Sequence, residues 1–278
     1  MGLAFRRAEF IARDHMKRIF FSFALVVGVT ACGISTQQEV QMGQEEASQI
    51  NQQLPLVSDP EANRYINLLG DQIASKTSRA DLDWRFFIVD SREVNAFAVP
   101  GGFIYVNRGL IERTDNMSEL AGVLGHEIGH VVLRHTVKQM EKAQGANIGV
   151  TLACVLTNIC NSQVAQAGIN VAGTALFAKF SRSDEAQADQ QAVLNTVRAG
   201  IDPHGVVSMF EKLIAERKSR PDAVSAFFAT HPGEEDRIAQ TQAEINRLPA
   251  SSLRGLTTNT TNYNSFRARI RSLPAPRQ

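Results

Sequence analysis

Apolar residues recur at the spacing of an α-helix over much of this chain. A helix that begins near Asp59 and Pro60 carries apolar residues at a period near 3.6 through Ile73, with a capping side chain and a proline in its first turn. Asp115 or Asn116 caps a second, long helix, which the pattern extends to about Lys142. The same spacing predicts further helices over 35–53, 181–197, 203–213, 233–248 and 266–273.

Three short segments favour β-strands instead. Residues 84–89, 95–99 and 103–106 are rich in aromatic and branched side chains, and Pro100-Gly101-Gly102 forms a turn between the last two. The predicted fold is therefore α+β and mostly α-helical, with a small sheet.

Residues 143–178 are rich in glycine, alanine, valine and asparagine and carry little charge. Two interpretations remain open: a pair of small-residue helices in the core, or a lid or membrane-facing hairpin. Cys154 and Cys160 lie in this segment, and a disulfide between them requires a turn near 157–158. The sequence leaves both questions open.

The N-terminal residues predict a targeting signal. Lys17-Arg18 precedes the apolar run 19–29, and Val29-Thr30-Ala31-Cys32 resembles the site at which bacterial lipoproteins are cleaved and lipidated on cysteine. The interpretation is a signal peptide over 1–31, in which 1–15 are an upstream extension before Met16. Residues 32–57 then form a lipid-tethered linker and first helix, 58–250 the main domain, and 251–278 a tail.

Composition adds one exclusion. The chain has 278 residues, 44% of them hydrophobic, and a net charge of +1. This is enough for one ample core, and the neutral balance argues against nucleic acid as a partner.

The stretch His126-Glu127-Ile128-Gly129-His130 carries the strongest chemical signal. Histidines four residues apart project from one face of a helix, so His126 and His130 can share one metal ion. Two imidazoles suit Zn²⁺, and Glu127 is placed as a general base toward a water molecule at that metal. On a continuous helix His135 would lie about 140° from His130, which makes it a structural or supporting residue rather than a ligand.

A third ligand must come from another helix. Leu133 and Thr136 replace the glycine and histidine of the metzincin extension, so that class is excluded. Glu185 is the candidate ligand, and Asp189, four residues later, would accept a hydrogen bond from a ligand histidine. The alternative is a solvated acidic helix start, stabilised by the helix dipole.

The predicted strand 95–99 is a candidate binding site for a peptide substrate. An edge strand beside a metal pairs with an extended peptide through main-chain hydrogen bonds, here at Asn95, Ala96 and Phe97. The alternative is a plain hairpin in the core sheet.

Several motifs in order resemble one family. The segments NAFAVPGG, ELAGVLGHEIGHVVLRH, SRSDEAQAD and THP resemble the HtpX/CAAX-prenyl-protease family of gluzincin metallopeptidases, over about 40–248. The likeness is closest to its periplasmic BepA- and LoiP-type lipoproteins. BepA-type members carry a C-terminal tetratricopeptide array, whereas 251–278 form only a short tail, so the chain is expected to be closer to the LoiP type.

The resemblance implies a gluzincin-type fold with an edge sheet beside the active-site helix. It implies one Zn²⁺ per chain, held by His126, His130 and Glu185, with Glu127 as base. His231 matches the THP histidine, which contacts the metal or stabilises the oxyanion.

The expected function is a zinc-dependent endopeptidase of the bacterial cell envelope that hydrolyses misfolded or unassembled outer-membrane or periplasmic proteins. Lipidation of Cys32, followed by Gly33 rather than aspartate, would anchor it to the periplasmic face of the outer membrane. The alternative is a zinc-stabilised periplasmic chaperone or scaffold with latent peptidase activity.

Overall fold

The computed structural model describes residues 33–145, 179–232 and 235–275. The predicted signal peptide, the lipidation site Cys32, the possible pairing of Cys154 with Cys160, and most of the segment 143–178 lie outside these residues. Among the described helices, none combines the length and the apolar character that crossing a membrane requires.

Helices dominate the described part of the chain and surround one small sheet. Most of the predicted elements are present, with boundaries shifted by a few residues. The helices are α1 (Thr36–Gln53), α2 (Pro60–Ala74), α3 (Arg108–Ile111), α4 (Met117–Val132), α5 (His135–Gly145), α6 (Arg182–Arg198), α7 (His204–Ser219), α8 (Ser225–Thr230), α9 (Glu235–Arg247) and α10 (Thr261–Ser272), with a 3₁₀ turn at Pro221–Val224. The strands are β1 (Arg85–Val89), β2 (Ala96–Val99) and β3 (Phe103–Asn107).

Polar side chains define where the helices begin. Asp59 accepts a hydrogen bond from the backbone N–H of Ala62 at the start of α2, as the sequence predicted. Ser181 and Asp184 form a reciprocal capping box at the start of α6, which fixes the first turn of the helix that carries Glu185.

The sheet has the order β1-β3-β2, with β1 parallel to β3 and β2 antiparallel to β3. Gly101 and Gly102 take positive φ angles of 84° and 105° in the turn between β2 and β3, a conformation that glycine adopts without strain. The predicted small sheet with β2 at its edge is thus present.

Alternate residues of the sheet pack in opposite directions. Phe97, Val99 and Tyr105 pack with Ala47 and Ile50 of α1 on one face. The other face belongs to the main core, where Ala96, Ala98, Ile104 and Val106 pack with residues of α2 and α4. Strand β2 therefore lies directly against the helix that carries His126 and His130.

The prediction of one long helix from Asn116 to Lys142 is wrong. The helix breaks at Leu133 and Arg134, and Arg134 has a φ of 58°, in the left-handed region that residues other than glycine rarely adopt. The Arg134 Nε donates to Glu39 Oε2 at 2.8 Å, and Arg79 also pairs with the buried Glu39. Since Glu39 lies 95 residues before Arg134 in the sequence, the local apolar pattern does not reveal this break.

Helices α4 and α6 approach each other closely at two glycines. A Cβ on Gly129 would lie 3.0 Å from the carbonyl oxygen of Ala188, and one on Gly125 would lie 3.2 Å from Cα of Ala192. Glycine in a helix costs roughly 1 kcal/mol relative to alanine, and here its missing side chain permits near backbone-to-backbone contact. This contact places the histidines of α4 opposite the acidic residues of α6.

The C-terminal tail packs on the domain through helix α10. Tyr263, Phe266 and Ile270 of α10 are buried, and Phe266 stacks on Tyr65 of α2 with 4.4 Å between ring centroids. Arg108 donates hydrogen bonds to the carbonyl groups of Leu273 and Pro274, which secures the end of α10.

Candidate active site

Four buried side chains from three parts of the chain converge beside α4. His126, His130, Glu185 and His231 each offer one ligand atom, and these atoms all lie within 4.8 Å of one another. His126 Nε2 lies 3.1 Å from His130 Nε2 and 3.3 Å from His231 Nδ1. Glu185 Oε1 lies 3.1 Å from His231 Nδ1 and 3.5 Å from His130 Nε2.

These spacings fit a tetrahedral metal ion. Zinc bonds to nitrogen and carboxylate oxygen are about 2.0–2.2 Å long, so ligand atoms at the corners of a tetrahedron lie about 3.3–3.6 Å apart. Four of the six pairs lie 3.1–3.5 Å apart, close to that size, and every pair lies within 4.8 Å. Three imidazoles and a carboxylate are also the donor types that zinc takes in proteins. The structure therefore brings together the predicted residues His126, His130 and Glu185, with His231 beside them.

Asp189 takes the supporting position predicted for it. His126 Nδ1 donates to Asp189 Oδ1 at 2.8 Å, which leaves Nε2 of that ring facing the cluster. The two carboxylates of α6 therefore lie in the buried site, and the alternative of a solvated acidic helix start is wrong for Glu185 and Asp189.

Arg237 of α9 was not identified from the sequence. Its guanidinium donates to both carboxylate oxygens of Asp189, at 2.8 and 2.7 Å, and lies 2.7 Å from Glu185 Oε2. It also lies over the ring of Phe210, 4.4 Å from the centroid. Nothing in the sequence around Arg237 indicates a partner, because both of its carboxylates lie on another helix.

The charges of these groups depend on one another. Burial raises the pKa of Glu185, but the neighbouring His231 and His126 outweigh burial and hold that pKa well below its usual range. Burial likewise raises the pKa of Asp189, and the charge of Arg237 more than reverses this effect. Burial lowers the pKa of His126, yet its hydrogen bonds with Asp189 and Glu185 raise the pKa to about 10. The site therefore favours the ionised form of Glu185 and of Asp189.

Glu127 lies beside the cluster with its carboxylate uncommitted. Its side chain is fully buried, and among the described residues neither oxygen has a hydrogen-bond partner. Val123, Phe210 and Leu213 line an apolar cavity next to it, and burial raises its pKa. Its Oε1 lies 3.4 Å from Nε2 of His231. A buried carboxylate of this kind is suited to accept and return a proton.

The predicted substrate strand has two different faces. Ala96 lies on the face toward α4, whereas Phe97 stacks on Tyr105 with 4.8 Å between ring centroids, on the face toward α1. The side chain of Phe97 thus points away from the histidines. Asn95 is buried, and its Oδ1 has no hydrogen-bond partner among the described residues.

Comparison with known proteins identifies the family. The model of peptidase family M48 matches residues 60–245, more than half of the chain. The beta-barrel assembly-enhancing protease of Escherichia coli O157:H7 is 33% identical over 224 residues, which cover 77% of this chain and 45% of that protein.

Two further relatives are also named as metallopeptidases. Metalloprotease LoiP of Escherichia coli K12 is 36% identical over 149 residues, covering 53% of this chain and 57% of LoiP. Mitochondrial metalloendopeptidase OMA1 of Schizosaccharomyces pombe is 28% identical over 174 residues, covering 63% of this chain and 50% of OMA1. The chain spans about half the length of these relatives. The matches confirm the predicted resemblance: the chain belongs to peptidase family M48.

Proposed function

We propose that this chain is a zinc-dependent endopeptidase of the bacterial cell envelope. The observation that carries the proposal is the buried convergence of His126, His130 and Glu185 beside the unpartnered carboxylate of Glu127. A metal-ligand set next to an uncommitted base is the arrangement that metal-assisted hydrolysis requires.

The residues divide the chemistry among them. His126, His130 and Glu185 would hold one zinc ion, which when bound would polarise the scissile carbonyl and acidify water beside it. Glu127 accepts the proton of the attacking water and then donates it to the leaving amine. Asp189 and Arg237 fix the orientation of His126 and Glu185 through their hydrogen bonds and ion pair.

The substrate binds in extended form along β2. This strand lies at the edge of the sheet and against α4, so a peptide paired with its main chain would pass over the histidines. The unpartnered amide oxygen of Asn95 accepts a further N–H, and Ala96 and Phe97 contribute backbone groups. Pairing through the main chain tolerates many sequences, which suits an enzyme that removes misfolded proteins.

The natural substrates are misfolded or unassembled outer-membrane or periplasmic proteins. One similar protein is named for β-barrel assembly, and the sequence Val29-Thr30-Ala31-Cys32 favours a lipid anchor in the same compartment. The enzyme would then be tethered through Cys32 to the periplasmic face of the outer membrane.

A cleavage assay tests the proposal. Zinc-loaded protein is expected to cleave an outer-membrane β-barrel protein that has been diluted from urea and is still unfolded. It should leave the same protein intact when that protein is folded in detergent. A chelator should stop cleavage, and zinc should restore it, as followed by gel electrophoresis. Protection of the unfolded barrel from aggregation without any fragments would instead support the chaperone alternative.

His231 closes the site in this arrangement. Its Nδ1 lies 3.3 Å from His126 Nε2 and 3.1 Å from Glu185 Oε1, the spacing expected between two ligands of one metal ion. A zinc site with four protein ligands has no open position. His231 therefore acts as a latch that must leave before substrate enters.

The latch predicts a gain of activity. The His231→Ala variant is expected to cleave the unfolded barrel roughly tenfold faster. Without the imidazole, the fourth ligand position is open in every molecule, and no closed state reduces the active population. Cleavage rates are measured beside His204→Ala, which removes an exposed histidine and should change nothing. A fall in rate by a factor of about 10²–10³ would show that His231 stabilises the oxyanion instead.

A further inference from the structure

His130 has a partner on the side that faces away from the cluster. Its Nε2 points toward His126 and Glu185, whereas its Nδ1 lies 2.9 Å from Nδ1 of His135. Both rings are about 99% buried, each with only 1% of its surface exposed. Phe180 stacks on the His130 ring with 3.9 Å between centroids, so the ring is held in one plane and its two nitrogens have separate environments.

The short contact between the two Nδ1 atoms requires that one of them carries a proton and the other accepts it. A histidine binds a cation through a nitrogen that carries no proton, so the proton of a metal-binding His130 must be on Nδ1. That N–H then donates to His135 Nδ1, which must be the acceptor. His135 consequently carries its own proton on Nε2, which faces Asp184 Oδ1 at 3.7 Å.

We propose that His135 is a positioning residue that holds His130 in its metal-binding orientation and tautomer, as Asp189 does for His126. The inference rests on the proposed function, since it assigns a role toward the same metal site. Metal-binding histidines generally donate their second ring N–H to a fixed acceptor, which sets the ring orientation. Here the two histidines of one motif have acceptors of different chemistry, a carboxylate and a neutral imidazole.

The break between α4 and α5 places His135 where it can act. On a continuous helix it would point away from His130, but the left-handed Arg134 turns the chain so that α5 begins at His135. Arg134 is held by the buried Glu39 and by the carbonyl of Ile34. A strained residue held by distant partners next to a functional side chain indicates a built feature rather than an accident of packing.

Two variants of nearly equal shape test the proposal. In His135→Asn the amide oxygen takes about the place of Nδ1 and can still accept from His130, whereas His135→Leu cannot. Zinc dissociation constants of the full chain are measured by competition with a chromophoric chelator. We expect His135→Leu to weaken zinc binding by about 10–100-fold. The zinc dissociation constant of His135→Asn should stay within about threefold of the wild-type value, because an acceptor for His130 remains.

A second readout separates positioning from packing. In the metal-free proteins, the unfolding temperature of His135→Leu should be at least as high as that of His135→Asn, because burying an amide costs more free energy than burying an alkyl group. The cobalt-loaded Leu variant should show an altered visible absorption spectrum, and the Asn variant a spectrum like the wild type.

Equal zinc affinity in the wild type and the Leu variant would overturn the proposal, as would an Asn variant that binds zinc no better than Leu. Since zinc affinity is measured without peptide cleavage, a chain that binds zinc but cleaves nothing would overturn only the proposed function. A wild-type chain that binds no zinc would overturn both.

Discussion

Changing Glu127 to Gln is expected to leave zinc bound and to reduce peptide cleavage by about 10²–10⁴-fold, the usual contribution of a general base. Glutamine has the same shape as glutamate but cannot take a proton. Because the Glu127 carboxylate has no hydrogen-bond partner among the described residues, the substitution breaks no described hydrogen bond. Zinc content by metal analysis and the initial rate of cleavage of an unfolded protein are the two measurements.

Glu119 provides a control on the same helix. It is also buried, but its carboxylate pairs with Lys212 and accepts from the backbone of Asp115, away from the histidines. Glu119→Gln should cost some stability and leave the rate per folded molecule unchanged. If Glu127→Gln cleaved at the wild-type rate, Glu127 would not be the base.

Changing Glu185 to Gln is expected to remove zinc and activity together. The variant replaces a carboxylate ligand by a neutral amide, and it leaves the ion pair between Arg237 and Asp189 in place. Zinc affinity should therefore fall by more than the roughly 10–100-fold that loss of an outer partner costs. Zinc per chain after dialysis against a competing chelator measures the effect, and zinc should no longer raise the unfolding temperature.

The Asp189→Asn variant provides a milder change for comparison with Glu185→Gln. An amide oxygen still accepts from His126, so zinc affinity should decrease less than in Glu185→Gln. Unchanged zinc binding in Glu185→Gln would assign the third ligand to another residue, and His231 would be the first to test.

The ligand residues could be predicted because their spacing is local. His126 and His130 share a helical face, and so do Glu185 and Asp189, so each pair follows from helix geometry once its helix is recognised. Asp59 and Pro60 marked the start of α2 for the same reason. Strand β2 was placed beside the histidine helix by resemblance.

The remaining parts of the site depend on contacts between distant segments. Arg237 pairs with two carboxylates of α6, and no local pattern reveals a buried arginine. The break at Arg134 depends on Glu39 in α1, while the apolar pattern continues across it. The supporting role expected for His135 is unchanged, but its contact with His130 was not foreseen, because the angle of about 140° between them assumed a helix that does not continue.

The close contact of α4 with α6 has a consequence for which ions the site can accept. At Gly125 and Gly129 the two helices approach so closely that a Cβ on either glycine would lie 3.0–3.2 Å from main-chain atoms of α6. An ion that prefers longer bonds, such as Ca²⁺ at about 2.3–2.6 Å, would need the two helices to separate. The glycines of α4 therefore influence which ions the site can hold, because they allow the helix of the histidines to lie this close to the helix of Glu185.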